Sequence, residues 1–284
     1  MNDLNNLIVA PIVAAALRED LGRAGDITSA MIIPAQSQTT AILRARAGGV
    51  ISGVDCAALA FTMVDGDLQV SCNRNNGDEV KPGDVVLTIS GSARSILTAE
   101  RVALNFTGRL SGVATLARAY CDAVAHTNAR VCDTRKTTPG LRVLEKQAVR
   151  HGGAVNHRFG LDDAVLIKDN HIAVAGSVRA ALIAAKNAVG HMMAIEIEVD
   201  TLEQLEEVLS LRIAHAVLLD NMSCDALKEA VDLASKLPQK PLLEASGGVT
   251  LDSIAEVAAT GVDIISAGAL THSVISLDVG LDIA

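Results

Sequence analysis

Six short aliphatic runs in the second half of this chain constrain its fold more than any other feature. Each run is followed by a segment in which apolar residues have helical spacing, and the runs recur every 20 to 34 residues. A strand, a helix and a further strand at this repeat length are typical of parallel βαβ units. The predicted strands cover residues 130–133, 164–167, 195–199, 216–219, 242–245 and 263–267.

The repeated units predict an α/β fold, either an open doubly wound sheet or an incomplete barrel. No G-x-G-x-x-G motif follows the first predicted strand, which disfavours a dinucleotide-binding sheet. The part of the chain before these units is organised differently. It begins with the pattern of a surface helix whose buried face includes Ile8 and Leu17, and predicted strands follow at residues 40–47 and 84–90. We expect a small mixed sheet with helices there.

A helical pattern over residues 93–125 joins the two parts and is interrupted at Ser111-Gly112. We take this interruption as the boundary between two domains. The expected first domain covers residues 1–111 and is joined by the tail, residues 273–284, while the second covers residues 112–272.

The composition excludes several classes of function. The chain has 24 Lys and Arg against 33 Asp and Glu, one Tyr, three Phe and no Trp, whereas general nucleic-acid binders need excess cations and stacking rings. We expect no nucleic-acid partner. The longest apolar stretch has 11 residues and contains Pro11, so we expect no membrane span or signal peptide. Five scattered cysteines without metal-ligand spacing predict reduced thiols in a cytoplasmic protein and no zinc site.

Positive charge is concentrated in residues 130–171, which contain eight Lys and Arg against five Asp and Glu, in a chain of net charge −9. A cleft lined by one sign of charge focuses its field, so this segment is expected to bind anions. Arg142, Lys146 and Arg150 lie four residues apart and are expected to line the solvated outer face of a helix. We therefore leave these three residues out of the predicted site.

Charged or small residues end or follow every predicted strand, at the carboxyl ends where active sites of parallel α/β folds collect. They are Thr134, Arg135 and Lys136, then Lys168, Glu198 and Asp220, and finally the turns Ser246-Gly247-Gly248 and Ala267-Gly268-Ala269. The two turns are suited to a phosphate. The two acidic residues are suited to magnesium, or alternatively to salt bridges with the lysines. His157, beside Arg158, is the only histidine in the predicted site.

Nine strings in this order resemble the quinolinate phosphoribosyltransferase family, a type II phosphoribosyltransferase family. They are EDLGRAGDIT at 19–28, ERVALNFTGRLSGVAT at 100–115, DTRKTTPGLR at 133–142, GGAVNHRFGLDD at 152–163, IKDNH at 167–171, EIEVD at 196–200, LLDN at 218–221, EASGG at 244–248 and GALTHS at 268–273. The resemblance implies an N-terminal α/β sandwich domain, an incomplete six-stranded α/β barrel, and a homodimer with shared active sites that could assemble further.

The resemblance also implies a reaction and a role for each predicted residue. Quinolinate and phosphoribosyl pyrophosphate would give nicotinate mononucleotide, pyrophosphate and carbon dioxide, with magnesium and no organic cofactor. Arg135, His157, Arg158 and Lys168 would hold the carboxylates, together with Arg101 of the partner subunit. Lys136 and Lys168 would face the pyrophosphate, Glu198 and Asp220 would hold the ribose hydroxyls and magnesium, and the two small-residue turns would bind the 5′-phosphate.

Three other interpretations remain open from the sequence. A ModD-like protein of molybdenum operons would share the fold but act on a different substrate. A barrel aldolase would use Lys168 as a Schiff-base amine. A protein that binds anions without catalysis would need the same cationic segment.

Overall fold

The computed structural model describes residues 6–284, which form eleven helices and twelve strands. The helices are α1 (Asn6–Leu21), α2 (Ile27–Ile32), α3 (Val54–Val64), α4 (Ala93–Val124), α5 (Arg142–His151), α6 (Asp169–Ala175), α7 (Val178–Ala188), α8 (Leu202–Leu211), α9 (Cys224–Ser235), α10 (Ile254–Ala258) and α11 (Ala269–His272). The strands are β1 (Gln38–Ala45), β2 (Gly49–Val50), β3 (Gln69–Cys72), β4 (Glu79–Val80), β5 (Val85–Ser92), β6 (Arg130–Cys132), β7 (Val165–Ile167), β8 (Ile195–Val199), β9 (Ala216–Asp220), β10 (Leu242–Ser246), β11 (Ile264–Ser266) and β12 (Val279–Ile283).

By their internal contacts, the described residues fall into two compact units. The first holds the described residues up to Arg118, together with Thr137–Gly153 and Thr271–Ala284, and the second holds Ala119–Lys136 and Ala154–Leu270. The boundary expected between residues 111 and 112 lies inside helix α4. The expected first domain also includes residues 1–5, which lie outside the described part. The limits of this expected domain therefore stay a prediction.

Helix α4 is continuous through Ser111 and Gly112, so the predicted interruption of the helix was wrong. Gly112 lies against the tail, and a Cβ atom there would overlap the carbonyl oxygen of Ile275. The hydroxyl of Ser111 accepts a hydrogen bond from the N–H of Ser52 at 2.9 Å and donates to its carbonyl oxygen at 3.1 Å. These small residues allow close packing within the first unit, and local sequence cannot distinguish this role from a helix break.

The first unit is built on an antiparallel sheet with the strand order β12-β1-β5-β3. Strands β1 and β5 correspond to the two strands predicted in this region, and alternate residues of β1 are buried. Helix α1 forms as predicted, and its buried residues are Val9, Val13 and Leu17. Ile8 is 47% exposed, so its placement on the buried face was wrong. The buried positions are spaced four residues apart, which leaves Ile8 on an adjacent, exposed face.

Helix α5 belongs to the first unit and is buried over most of its length. Lys146 is only 2% exposed, so the expectation that it lines a solvated outer face was wrong. Arg142 is half-buried and Arg150 is exposed. The adjacent Glu145 is fully buried and accepts hydrogen bonds from Arg109 at 2.7 and 3.1 Å. The buried polar residues of this helix explain why charge spacing alone did not identify its outer face.

The second unit contains a six-stranded sheet with the order β6-β11-β10-β9-β8-β7, in which all pairs are parallel. Strands β7 to β11 are neighbours in sequence order, and β6 pairs with β11. A doubly wound sheet would instead reverse its direction of winding part-way. The consecutive strands β6 and β7 are the first and last strands of this order and do not pair with each other, so the sheet is an incomplete barrel.

Strand register places the acidic residues of three neighbouring strands on one face of this sheet. Glu198 and Glu244 both lie beside Leu218, and Ser246 lies beside Asp220. Residues in register on neighbouring strands point to the same face, and residues two apart along one strand do too. Glu196 therefore shares this face. Intervening residues are apolar and buried, as at Ile197, Val217 and Leu243.

Among the helices of residues 6–284, we find none with the length and apolar character needed to cross a membrane.

Candidate active site

An ion pair joins the end of β7 to the interior of the sheet. Lys168 lies between β7 and α6, and its Nζ atom is 2.5 Å from Oε2 of Glu198. Glu198 is 8% exposed, whereas the side chain of Lys168 is 47% exposed. Lys168 and Glu198 thus form the salt bridge that the sequence predicted as the alternative to a magnesium site. Because the lysine reaches solvent, it can leave the glutamate when another cation or a hydroxyl group takes its place.

The ends of β9 and β10 form a second part of the site. The N–H of Asn221 donates to the carbonyl oxygen of Ser246 at 2.9 Å, and its Nδ2 donates to Oδ2 of Asp220 at 2.7 Å. Gly247 has a φ of 97°, and a Cβ atom there would overlap the side chain of Asn221. Glycine is thus required by both conformation and space. Asp220 and the Ser246-Gly247-Gly248 turn are held together as one structure.

Two guanidinium groups lie near each other after β6 and in the segment before β7. Burial, and after it the positive charge of Arg135, lowers the pKa of the Arg158 guanidinium. Its Nη1 donates to the carbonyl oxygen of Ala164 at 3.0 Å, while its Nε has no hydrogen-bond partner within the described part of the chain. Both groups stay protonated in proteins, so their repulsion and burial favour an anion that bridges them.

Thr134 and Lys136 flank Arg135 in the segment after β6. The N–H of Lys136 donates to Oγ1 of Thr134 at 3.1 Å, and the side chain of Lys136 is exposed. On the neighbouring strand, the N–H of Ala267 donates to the carbonyl oxygen of Cys132 at 3.0 Å. Gly268 follows, and Ala269 begins helix α11. The turn after β11 therefore lies beside the end of β6.

His157 is held by hydrogen bonds at its backbone and at both ring nitrogens. Its N–H donates to the fully buried Asp133 at 2.8 Å, and Asn156 donates to the same carboxylate at 2.7 Å. Its Nδ1 accepts from the N–H of Arg158 at 2.7 Å, so the ring proton is on Nε2, 3.0 Å from Oε2 of Glu196. A direct bond from His157 to a substrate carboxylate would require exchange of one of these contacts.

Four polar residues of this region were missed in the sequence: Asp133, Glu196, Asn221 and Glu244. A signal for two of them was present. In a strand whose last glutamate faces the site, the glutamate two residues earlier faces it too, as in EIEVD. The role of Asn221 depends on a left-handed backbone, with φ of 52°, which its sequence context did not indicate.

Arg101 differs from the other predicted residues because it belongs to the first unit. It lies on α4 and is exposed. The remaining predicted residues all belong to the second unit.

A cavity of about 610 Å³ lies at the opposite, amino ends of β9 and β10. Its lining includes Arg212, His215 and Lys240 and none of the predicted site residues. The ionic groups described above, rather than this cavity, mark the candidate active site.

Two family models together match nearly the whole chain. The N-terminal domain of quinolinate phosphoribosyl transferase matches residues 26–111, and its C-terminal domain matches residues 113–282. The chain belongs to the quinolinate phosphoribosyltransferase family. This membership confirms the family resemblance seen in the sequence.

Individual members of the family are similar over the same length. Nicotinate-nucleotide pyrophosphorylase [carboxylating] of Mycobacterium leprae is 45% identical over 273 residues, which cover 95% of each chain. The probable enzyme of the same name from Bacillus subtilis is 41% identical over 280 residues, with 99% of this chain and 95% of that one covered. The crystal structure of NadC from Streptococcus pyogenes is 38% identical, with a TM-score of 0.94 and full coverage of both chains. The predicted fold class is confirmed.

Proposed function

We infer that this member of the family transfers the phosphoribosyl group of phosphoribosyl pyrophosphate to quinolinate and removes one carboxylate. The products are nicotinate mononucleotide, pyrophosphate and carbon dioxide, and the reaction belongs to the de novo biosynthesis of NAD. Similarity to nicotinate-nucleotide pyrophosphorylases over nearly the whole chain supports this inference. The observation in the site that carries it is the pair of Arg135 and Arg158 guanidinium groups, which suits a dicarboxylate.

Quinolinate is a dianion whose two carboxylates, on adjacent carbons of a pyridine ring, can each be bound by a guanidinium or ammonium group. Arg135, Arg158 and Lys168 supply these groups within one chain, and Arg101 of the partner subunit supplies a further one. The low aromatic content, 1% of residues, leaves little opportunity for stacking on the pyridine ring. Recognition therefore depends mainly on charge and on the positions of the carboxylates.

Phosphoribosyl pyrophosphate occupies the adjacent strand ends in this proposal. The turns Ser246-Gly247-Gly248 and Ala267-Gly268-Ala269 receive the 5′-phosphate, where backbone N–H groups can approach it. Glu198 and Asp220 bind the ribose hydroxyls. As Glu198 gains these hydroxyl donors, Lys168 is released from its ion pair and can face the substrate anions.

The oxygen-rich donor set of Glu198 and Asp220 also fits magnesium, which prefers carboxylates together with substrate phosphates. Both side chains lie on one face of the sheet, at the ends of neighbouring strands. When bound, magnesium would offset the charge of the pyrophosphate. The residues of the chain itself then hold and orient the two substrates.

Transfer begins when the quinolinate nitrogen bonds to C1 of the ribose and the bond from C1 to the pyrophosphate oxygen breaks. Positive charge develops on the ribose and negative charge on the leaving group. Carboxylates near the ribose and cations near the pyrophosphate therefore stabilise the transition state. Lys136 and Lys168 are the cations on the leaving-group side.

Loss of carbon dioxide follows from the positive charge that the pyridine nitrogen acquires. The C2–carboxylate bond breaks, its electron pair stays on C2 beside the positively charged nitrogen, and a proton from solvent then binds C2. The cations that first bind the carboxylate must release it at this step.

A homodimer with shared active sites is part of the proposal. Arg101 is exposed on α4, as a residue that serves a partner subunit should be. Large apolar side chains are also exposed on the first unit, with Met31 at 82% and Ile32 at 71%. Exposed apolar patches of this kind support subunit association, and dimers could assemble further. A cytoplasmic location fits the five free cysteines.

The alternative interpretations are less well supported. A Schiff-base lysine attacks as a neutral amine, whereas Lys168 is paired with a buried carboxylate. The chain is 41 to 45% identical to nicotinate-nucleotide pyrophosphorylases over nearly its full length. This identity favours their reaction over the different substrate of a ModD-like protein.

The decisive experiment measures quinolinate-dependent release of carbon dioxide in the presence of phosphoribosyl pyrophosphate and magnesium. We expect stoichiometric formation of nicotinate mononucleotide and pyrophosphate. Omission of either substrate is the control, and nicotinate in place of quinolinate should release no carbon dioxide. Binding of phosphoribosyl pyrophosphate without turnover of quinolinate would contradict the proposal, and would favour a paralogue or an anion-binding protein.

A further inference from the structure

Glu244 is a buried carboxyl group that takes no part in the mechanism above. It lies in the middle of β10, on the sheet face that also carries Glu198 and Ser246, and is 2% exposed. Its Oε1 atom has no hydrogen-bond partner among residues 6–284. Burial of a carboxyl oxygen without a hydrogen-bond partner lowers the stability of the folded chain. A carboxyl group retained in such a position is therefore expected to have a function for its charge or its proton.

The surroundings of Glu244 are two other titratable groups and one hydroxyl. Its Oε2 lies 3.7 Å from Nε2 of His157, and the same nitrogen lies 3.0 Å from Oε2 of Glu196. The side chains of Glu196 on β8 and Ser266 on β11 are also within hydrogen-bonding reach of Glu244. The side chains of His157 and Glu196 are each only 12% exposed. Two carboxyl groups and one imidazole thus share a nearly dry site.

The charges in this site do not balance if both glutamates are ionised. His157 can offset at most one of the two negative charges, and the proton on its Nε2 points to Glu196, since its Nδ1 accepts the N–H of Arg158. Burial, and after it the charge of Glu196, raises the pKa of Glu244 to about 7. A proton retained on Glu244 removes the repulsion and makes this residue a hydrogen-bond donor.

We propose that Glu244 is a positioning residue for the carboxylates of the substrate, acting as a neutral acid that donates a hydrogen bond to Glu196. This bond keeps the carboxylate of Glu196 on the Nε2–H of His157. His157 in turn contacts Asp133 through its N–H and Arg158 through Nδ1. The imidazole thereby fixes the backbone from which the Arg158 guanidinium reaches the substrate. The proposal rests on the proposed function, since it takes Arg158 to bind a carboxylate of quinolinate.

The same three side chains could instead hold a cation, because their ligand atoms lie within 4.8 Å of one another. A cation would require Glu244 as an ionised ligand, whereas the proposed role requires its proton. Glutamine is isosteric with a protonated glutamate and keeps a donor, but it is a poor ligand for a metal ion. A glutamine variant therefore distinguishes the two roles.

The experiment compares Glu244→Gln with Glu244→Leu, which has a similar volume and no donor. Glu196→Gln replaces the charged acceptor by a neutral and weaker one, and Glu229→Gln, on the exposed face of α9, is the control. We expect Glu244→Gln to keep the KM for quinolinate within about threefold of wild type. Glu244→Leu and Glu196→Gln should raise this KM by about tenfold or more, while the KM for phosphoribosyl pyrophosphate stays within about threefold.

Equal impairment of Glu244→Gln and Glu244→Leu would overturn the proposal and indicate an ionised group or a metal ligand. An unchanged KM for quinolinate in Glu244→Leu would overturn it too. If Glu244→Leu does not fold, Glu244→Gln and Glu196→Gln decide, and equal KM values in those two contradict the proposal. If the wild-type chain does not turn over quinolinate, the proposed function fails separately. Calorimetric Kd values for quinolinate then replace KM, and equal values in all variants overturn the role of Glu244.

Discussion

Lys168 and Glu198 form an ion pair in which an exposed ammonium group lies 2.5 Å from a nearly buried carboxylate. The pair connects solvent with the interior face of the sheet. In the free chain each residue neutralises the other, so neither leaves an uncompensated charge. When substrates supply hydroxyl groups to the glutamate and anions to the lysine, both partners can be exchanged at small net cost.

Lys136 should be needed for the rate of transfer and not for folding. Its side chain is exposed and faces the leaving pyrophosphate in the proposed complex. We expect Lys136→Ala to lower kcat by roughly 100- to 1000-fold, the usual loss for one transition-state charge. Lys236→Ala, another exposed lysine outside the site, is the matched control. Steady-state kinetics and thermal unfolding measure the effects, and kcat within a factor of a few of wild type would contradict the assigned role.

Shared active sites can be tested by mixing two inactive variants. Arg101→Ala and Lys168→Ala damage different subunits of the same site, so a mixed dimer has one intact site. With free exchange of subunits, equimolar mixing should restore about a quarter of wild-type activity. Lys136→Ala mixed with Lys168→Ala is the control and should stay inactive, because each mixed dimer then has two damaged sites. No recovery after demonstrated exchange in the first mixture would exclude the shared site.

Stability should depend on pH through Glu244. Its pKa is raised from 4.5 to about 7, so the folded chain binds a proton that the unfolded chain releases in this range. The stability it contributes is fully present below pH 4.5 and is lost as the pH rises through 7. At about 1.4 kcal/mol for each pKa unit, the loss is on the order of 3 to 4 kcal/mol at most.

Glu244→Gln has no proton to lose, so its melting temperature should gain on that of wild type as the pH rises from 4.5 to 8. Calorimetry at several pH values measures this difference, with Glu229→Gln as the control that should follow wild type. A constant difference between Glu244→Gln and wild type across the range would show that Glu244 is ionised in the folded chain throughout.

Gly247 should be far less tolerant of substitution than Gly248. Both have positive φ, at 97° and 61°, but only a Cβ atom on Gly247 would overlap Asn221. Gly247→Ala should therefore destabilise the chain by about 1–3 kcal/mol from strain alone, displace Asn221 and raise the KM for phosphoribosyl pyrophosphate. Gly248→Ala has free space and should cost only about 1 kcal/mol. Similar KM values in the two variants would argue against the turn as a phosphate site.

The ends of the six barrel strands could be predicted from sequence to within one residue because each strand is a compact apolar run between turn signals. It was harder to predict which residues face the site. Glu244 is surrounded in sequence by apolar residues, and its place in the site is recognised only from its proximity to Glu196 in the structure. Lys146 shows the same limit: it is 2% exposed, and its neighbours in sequence do not reveal this burial.

The contacts of His157 could not be predicted from its position in a basic segment. They depend on Asp133 and Glu196, which lie 24 and 39 residues away. The family resemblance identified the residue but not the tautomer, because the tautomer follows from the backbone N–H of Arg158.

Strand β12 pairs with β1 through residues 279–283 and so supplies one edge of the sheet in the first unit. During synthesis, β1 leaves the ribosome more than 200 residues before this partner. The barrel strands are synthesised in between and can pair with one another. The antiparallel sheet of the first unit stays incomplete until β12 is synthesised. Contacts of such long range slow folding, and for that interval the unpaired edge of β1 is open to capture by other nascent chains.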